Sequence, residues 1–339
     1  MIEGSLERKV NELIDRQTQE WELAKANYTG LEKVESKTFH FDGFCIMAQF
    51  NPERIRSSGA KTDAESIQAR ACFLCADNRP AVQRGIDFLG KYIILINPYP
   101  IFPQHLTVAL KEHLPQEIEP YLADMLKLSQ ALPGFTVFYN GPKCGASAPD
   151  HFHFQAGNKR LLPVYHDLET IVPRLGELLF QDETTVIHAL GKDFLRNVLL
   201  YSSTSPVSLC HHLHVALDAL KERGQEGEPM LNLLVNFEDG RWQALLFPRD
   251  QQRPWQYFAE GPARILMSPA SVEMAGLVIL PRKEDFDKLT NENLADIYQQ
   301  VTINQHEFDL LKVRIKNGFP GNQQAFGREK FTNKIDRYE

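Results

Sequence analysis

The 339-residue chain, 43% hydrophobic and 24% charged, has the composition of a globular protein with material for one large domain or two of ordinary size. Its formal charge of −7 argues against a general nucleic-acid or anionic-membrane surface, so any phosphate-bearing ligand must be drawn in by local groups. Five cysteines, at 45, 72, 75, 144 and 210, are odd and sparse, unlike a disulfide framework, and no apolar leader or membrane-length run stands out. The expectation is a soluble, cytoplasmic protein that engages neither nucleic acid nor membrane.

Apolar residues at helical spacing (Leu6, Val10, Leu13, Ile14) predict a helix over residues 5–26. Strands are expected at 38–41 and 44–50, joined by the turn signal Asp42-Gly43, and the polar, aperiodic stretch 51–70 reads as a loop. The apolar run 91–97 suits a buried strand. Pro98, Pro100 and Pro103 then force an irregular connection to a second strand at 105–110. A helix is expected over 115–132 with Pro115 near its first turn, followed by a strand at 135–140, a Gly/Ser loop and a strand from 151. That order predicts an α+β fold around a mostly antiparallel sheet.

Beyond residue 160 the pattern loosens. A helix is expected at 207–222, then strands at 231–237 and 241–247 about the hairpin signal Asp239-Gly240, a strand at 276–280 and a helix from 291. The segment 277–283 echoes 106–112 in layout, which suggests a degenerate internal duplication with halves at 1–165 and 166–339. The last 25 or so residues are polar and read as only partly ordered.

His151, Phe152, His153, Phe154 and Gln155 carry the chemistry. In a strand, positions i, i+2 and i+4 share a face, so His151, His153 and Gln155 would project together while the two phenylalanines anchor the core. The loop 140–147 just upstream offers backbone N–H groups and a hydroxyl, equipment for holding phosphate. A neutral imidazole beside such a cradle is a nucleophile towards phosphorus, and His153, the middle position, is best placed to attack. Glutamine cannot transfer a proton near neutral pH. Gln155 therefore favours transfer between phosphates, where leaving group and acceptor are already anionic, over hydrolysis. Cys72 and Cys75 form a Cys-x-x-Cys pair: half of a zinc site, a redox pair, or simply buried thiols.

His-x-His-x-Gln after Asn-Gly-x-x-x-Gly-Ala-Ser resembles the transferase branch of the histidine-triad superfamily, most clearly over residues 70–160. That branch includes galactose-1-phosphate uridylyltransferase, diadenosine tetraphosphate phosphorylase and GDP-L-galactose phosphorylase. A weaker likeness covers 231–299, with Ser268 to Asp285 looking like the last of these. The resemblance implies two histidine-triad-like halves, each an antiparallel sheet with packed helices, the second degenerate. It also implies nucleoside monophosphate transfer through a covalent nucleotidyl-histidine. The donor would be a nucleoside diphosphate-sugar or dinucleoside polyphosphate, and the acceptor phosphate or a sugar phosphate. His153 matches the nucleotidylated histidine and Gln155 the amide on the transferred phosphoryl group. Asn140, Gly145 and Ser147 match the phosphate loop, and Asn97 an asparagine near the nucleoside, with Leu, Ile and Phe around it as the base pocket. It also completes a structural zinc site, with His113 and His151 joining Cys72 and Cys75. Rival readings are a histidine-triad hydrolase and a nucleotide-binding protein without turnover. The oligomeric state stays open, a homodimer through edge strands being one arrangement.

Other residues read as ordinary: His211, His212 and His214 on one helix, His105 at a strand start, Cys144 in a tight turn, and Trp242 and Trp255 as core or rim. Lys143, Lys159, Arg160, Arg249, Arg253, Arg282 and Lys283 could neutralise phosphates, but each individually reads as a solvated surface charge.

Overall fold

Helices Glu3–Glu20 and Glu22–Gly30 occupy the region expected as one helix, with the break at Trp21, which turns into extended backbone. Strands β1 (Glu35–His40) and β2 (Cys45–Phe50) follow, their turn closed by Gly43 at a φ of +85° that glycine adopts without strain. The computed structural model describes residues 3–55, 64–224 and 226–319. Residues 56–63 of the loop expected at 51–70, and most of the tail, lie outside the described residues; the rest of that stretch includes a 3-10 turn at Pro52–Arg54 and a short helix, Ala64–Gln68, where only loop was expected.

The main sheet is built from β3 (Gly85–Phe88), β4 (Tyr92–Ile96), β5 (His105–Leu110), β6 (Phe135–Asn140), β7 (His153–Asn158), β8 (Glu177–Gln181), β9 (Thr185–Leu190), β10 (Val198–Ser203), β11 (Leu231–Glu238) and β12 (Arg241–Pro248). Their spatial order is β3-β4-β5-β7-β6-β11-β12-β10-β9-β8, with every pairing antiparallel. From either edge inward the pattern is the same: three strands in chain order, then an exchanged pair. A helix joins the third strand to the next in both halves, Leu122–Ala131 after β5 and Pro206–Lys221 after β10. The halves meet where Val137–Asn140 of β6 pair with Asn232–Val235 of β11.

This is an internal duplication, but not along the segments whose layout suggested it. The counterpart of β5 is β10, whereas β13 (Leu277–Leu280) runs parallel to β2 in a separate three-stranded sheet. A short apolar run ending at proline carries no register, so similar layouts suit either sheet.

The sheet is covered on both faces, which is why β5 and β6 are buried at every position. On one face Val10, Met125, Leu213 and Leu311 bring helices against Phe152 and Phe154. On the other, Ile46 and Val278 of the small sheet join Ile171 and Ile297 against Phe138, Leu245 and Phe247. Local signals act where they are strong. Asp239 and Gly240 both have positive φ, the type I′ geometry of the β11–β12 hairpin, and the Ser205 side chain caps the helix from Pro206 at 3.2 Å. Pro115, expected in a first helical turn, lies before a helix that starts only at Leu122. Its neighbour Gln116 is committed to the strand that begins at His153 instead.

Candidate active site

β7 starts at His153, not at His151, and this changes which side chains share a face. Phe152 bonds across to Leu114 through its N–H and to Leu110 through its carbonyl, so the chain bends there before joining the sheet. His151 is turned to the Cys72 and Cys75 thiols, while the His153 and Gln155 side chains border a cavity of about 730 Å³. Asn97, Asn140, Gly145 and Ser147 line the same cavity. The apolar side chains beside Asn97 are Leu95, Ile101 and Phe138, joined by Trp21 and Leu23 from the N-terminal helices.

The hydrogen bonds fix one protonation pattern. His153 Nδ1 lies 2.9 Å from the His151 carbonyl, so it carries the hydrogen and Nε2 keeps its lone pair. Burial, and next the neighbouring imidazole of His151, push the His153 pKa down to about 4, so the ring is neutral at physiological pH. Gln116 holds the backbone on either side: its carbonyl accepts from His153 N at 2.8 Å, and its amide donates to His153 O at 2.9 Å and Asn140 O at 3.1 Å. The β6–β7 ladder stops at the Phe138–Gln155 pair, and Gln116 bridges the two strands where they part.

A second chain of bonds aims Gln155. The Ile101 N–H donates to His105 Nδ1 at 3.0 Å, which forces the hydrogen onto Nε2; that hydrogen is donated to Gln155 Oε1 at 3.0 Å. Asn97 Nδ2 adds a longer contact to the same oxygen at 3.4 Å. With its oxygen occupied, Gln155 keeps its NH2 group for a ligand. Asn97 is spent locally, since its oxygen accepts from Tyr99 N at 3.0 Å. His105 is fully buried, and desolvation, then the charge of Arg54, hold its pKa down at about 3.

The loop 140–147 is propped from the other half of the chain. Asn140 Oδ1 accepts from Asn232 Nδ2, Ser271 N and Ser271 Oγ at 3.0, 2.8 and 2.7 Å, leaving its amide nitrogen as the free donor. Gly145 sits at φ +100°, and a Cβ there would fall 2.4 Å from the Ala270 Cβ. Gly145→Ala is therefore expected to cost at least about 2 kcal/mol, from backbone strain plus overpacking, which chemical denaturation checks. Cys144 is fully buried with its thiol pushed up to about 12 by desolvation, so it is inert packing.

Arg54, Arg70 and Arg253 also line the cavity, against one carboxylate, Glu273, whose Oε2 is held by Ala270 N at 2.9 Å. Arg253 thus faces the cavity, where the sequence reading had it on the surface. Arg249 corrects the same expectation differently. It is wholly buried, donating to the carbonyls of Val301 and Pro269 at 2.9 Å and to Asn232, and so braces the loop's support. Lys159 too is buried, paired with Glu238.

Cys72, Cys75, His113 and His151 converge, their ligand atoms all within 4.8 Å of one another. Four edges are short: Cys72–His151 3.3 Å, Cys75–His113 3.2 Å, Cys75–His151 3.5 Å and His113–His151 3.2 Å, through Sγ and Nδ1 atoms. Zinc bonds of about 2.3 Å to sulfur and about 2.0 Å to nitrogen give tetrahedral edges of about 3.3–3.6 Å, so the donor set fits that ion. His151 Nε2 donates to the Leu110 carbonyl at 2.7 Å, which leaves the Nδ1 lone pair for the cluster. His212, by contrast, packs between Phe180 and Phe319, and its helix forms no such group among the described residues.

β12, the counterpart of β7, places Gln243, Leu245 and Phe247 on the face where β7 carries His153 and Gln155. The second half thus holds no imidazole at that strand and supplies support instead.

Residues 13–158 match a domain of unknown function, DUF4922, and residues 177–319 match the GDPGP1-like C-terminal domain. None of the curated proteins matches the sequence. A yeast Ap4A phosphorylase in complex with AMP is 17% identical, with 85% of this chain and 98% of that one covered and a TM-score of 0.51; the two share a fold. An ADP-glucose phosphorylase from Arabidopsis thaliana is 15% identical over 80% and 99% of the two chains, with a TM-score of 0.37. A uridylyltransferase is 14% identical over 76% and 92%, with a TM-score of 0.40.

Proposed function

We propose that this chain, which has the fold of the histidine-triad transferases and a GDPGP1-like C-terminal domain, is a nucleotidyltransferase of the phosphorylase type. The donor is a nucleoside diphosphate-sugar or a dinucleoside polyphosphate, and the acceptor is phosphate or a sugar phosphate. One observation carries this: a neutral His153 with Nδ1 tied to a carbonyl borders the cavity beside an amide whose oxygen is already taken.

In the first step His153 Nε2 attacks the α-phosphorus, and the bond to the leaving phosphate oxygen breaks with its electron pair. Positive charge developing on the ring is met by the His151 carbonyl, while the Gln155 NH2 donates to a non-bridging oxygen. The phosphate acceptor then attacks, the P–N bond breaks, and neutral imidazole returns. No proton moves, which suits a site whose motif ends in glutamine. Zinc held by Cys72, Cys75, His113 and His151 would have all four positions filled by protein, and would anchor the 72–75 loop to the start of β7.

The test is a product screen over GDP-, UDP- and adenine-containing donors with and without phosphate. Nucleoside diphosphate should form only with phosphate present, and protein given labelled donor without acceptor should retain acid-labile nucleotide. Release of nucleoside monophosphate regardless of phosphate, or no labelling with any donor, would overturn the proposal. His105→Leu, which leaves the Gln155 oxygen without its main donor, should lower kcat by about 10²-fold while substrate affinity changes little. Single-turnover kinetics with saturating donor measure this directly.

A further inference from the structure

Glu228 lies between the helix Pro206–Lys221 and β11, outside the cavity lining, and its carboxylate reaches back to the first half of the chain. Oε1 accepts from the Ile118 N–H and Oε2 from the Tyr139 hydroxyl, both at 2.5 Å. Both donors sit beside the supports of the nucleophile. Ile118 is two residues from Gln116, which takes both backbone groups of His153, and Tyr139 precedes Asn140. Gly141 packs against the same spot, where a Cβ would meet the Leu231 carbonyl at 2.9 Å and Glu228 Oε2 at 3.4 Å.

The connection that carries Gln116 runs from β5 to the 3-10 turn at Glu119–Tyr121 and has no regular structure of its own. Before Ile118 it leans on the approach to the motif: the Leu114 carbonyl accepts from Phe152 N at 2.7 Å, and Gln116 N donates to the Pro149 carbonyl at 3.1 Å. At Ile118 its backbone is fastened to the other half of the chain. Glu228 is thus the far anchor of the Gln116 clamp.

A carboxylate is a costly choice for that anchor. The titratable groups facing it are Tyr139, Cys144, Glu117 and Lys221. Burial keeps Tyr139 and Cys144 neutral, Glu117 repels, and the Lys221 ammonium is held by Glu119 at 2.6 Å and Asp218 at 3.3 Å. Burial pushes the Glu228 pKa up to about 7, although its two hydrogen bonds oppose the rise. Glutamine would satisfy the same partners without a charge, its oxygen taking the Ile118 N–H and its NH2 donating to the Tyr139 hydroxyl. Stability alone therefore does not account for the acid.

We propose that Glu228 is a positioning residue for the transfer reaction, fixing the Gln116 segment and so the His153 backbone, and that its ionised form is the active one. The kinetic part rests on the nucleotidyl-transfer reading; the link from residue 228 to residue 153 does not. Ionised, the carboxylate holds both donors by charge-assisted bonds. Protonated, it gives one oxygen over to donating to Tyr139 and keeps a single neutral acceptor for Ile118.

The experiment compares wild type with Glu228→Gln, which copies the protonated pattern. Single-turnover labelling with saturating GDP-, UDP- or ADP-glucose, without acceptor, is followed from about pH 6 to about pH 8, a range in which His153 stays neutral. Wild type should slow roughly tenfold as the pH falls through about 7, and the variant should stay at the slow rate throughout. At about pH 8 the variant should melt no lower than wild type, because a carboxyl whose folded pKa is raised makes the fold less stable as pH rises through that value. Hydrogen exchange of the full-length variant should be faster in peptides covering 112–121 and 150–156 and unaltered over 163–175. Equal labelling rates at about pH 8, or no change in exchange at 150–156, would overturn the proposal. If no donor labels wild type while exchange at 150–156 responds to the substitution, the transfer reading falls and the positioning link stands. Should the glutamine variant fail to fold, Tyr139→Phe takes its place: loss of a donor raises the carboxyl pKa, so the midpoint of the labelling profile should move up by at least about half a unit, and an unmoved midpoint defeats the proposal.

Discussion

His153→Ala should fold like the parent protein and lose at least about 10⁴-fold in kcat, with no nucleotidyl group retained after incubation with labelled donor. The magnitude follows from the role: without a nucleophile the two-step route is closed, and what remains is whatever the bound groups do for direct attack by phosphate. The fold should survive because the backbone at this position is held independently of the ring. Gln116 takes both His153 N and His153 O, and Phe154 is anchored in the opposite core. Nucleotide affinity should stay within a few-fold, since Gln155, Asn140 and the arginines are untouched. The decisive comparison is with the His105→Leu protein, which keeps the nucleophile and should still label, slowly. An His153→Ala protein that turns over at a tenth of the parent rate would sink the covalent route.

The motif was legible because strand alternation is a local rule, and it placed His153 and Gln155 on one face correctly. It failed for His151, since two backbone bonds made by Phe152 bend the chain one residue before the strand begins. Strong turn and strand signals gave β2, β4–β6 and β11–β13 nearly to the residue, and found β1 with its start three residues late. β3 and β8–β10 were not read, nor was the helix Pro163–Leu175, whose interior Pro173 argues against a helix. β8 is an edge strand, largely exposed and carrying a bulge, so its sequence has little period to detect.

What supports the site was out of reach for a different reason. Gln116, Asn232, Ser271, Arg54 and Arg70 are polar residues in segments without a motif. They act through contacts 24 to 131 residues away. Each alone looks like loop polarity. Arg249 shows how far this goes: no sequence cue separates an arginine that caps buried carbonyls from one in water, yet the topology that brings β11 beside β6 decides it.

Cys75→Ser is expected to purify with little or no metal, where wild type carries about one equivalent, and to lose roughly 10–100-fold in kcat although it lies outside the reacting groups. Cys75 makes two of the four short edges of the cluster, to His113 at 3.2 Å and His151 at 3.5 Å, so its loss opens the cluster more than loss of Cys72, which makes one. The route to the nucleophile is a single residue. His151 gives its ring to the cluster and its carbonyl to His153 Nδ1 at 2.9 Å, so whatever lets residue 151 drift also frees the tautomer that keeps Nε2 unprotonated. The loss should fall on kcat with the donor KM nearly unchanged, because the cavity walls formed by Asn140, Gly145 and Gln155 are braced elsewhere. Elemental analysis and steady-state kinetics on the same preparation separate the possibilities: wild type without metal would remove the zinc assignment, and a metal-free variant at full kcat would cut the link from cluster to nucleophile.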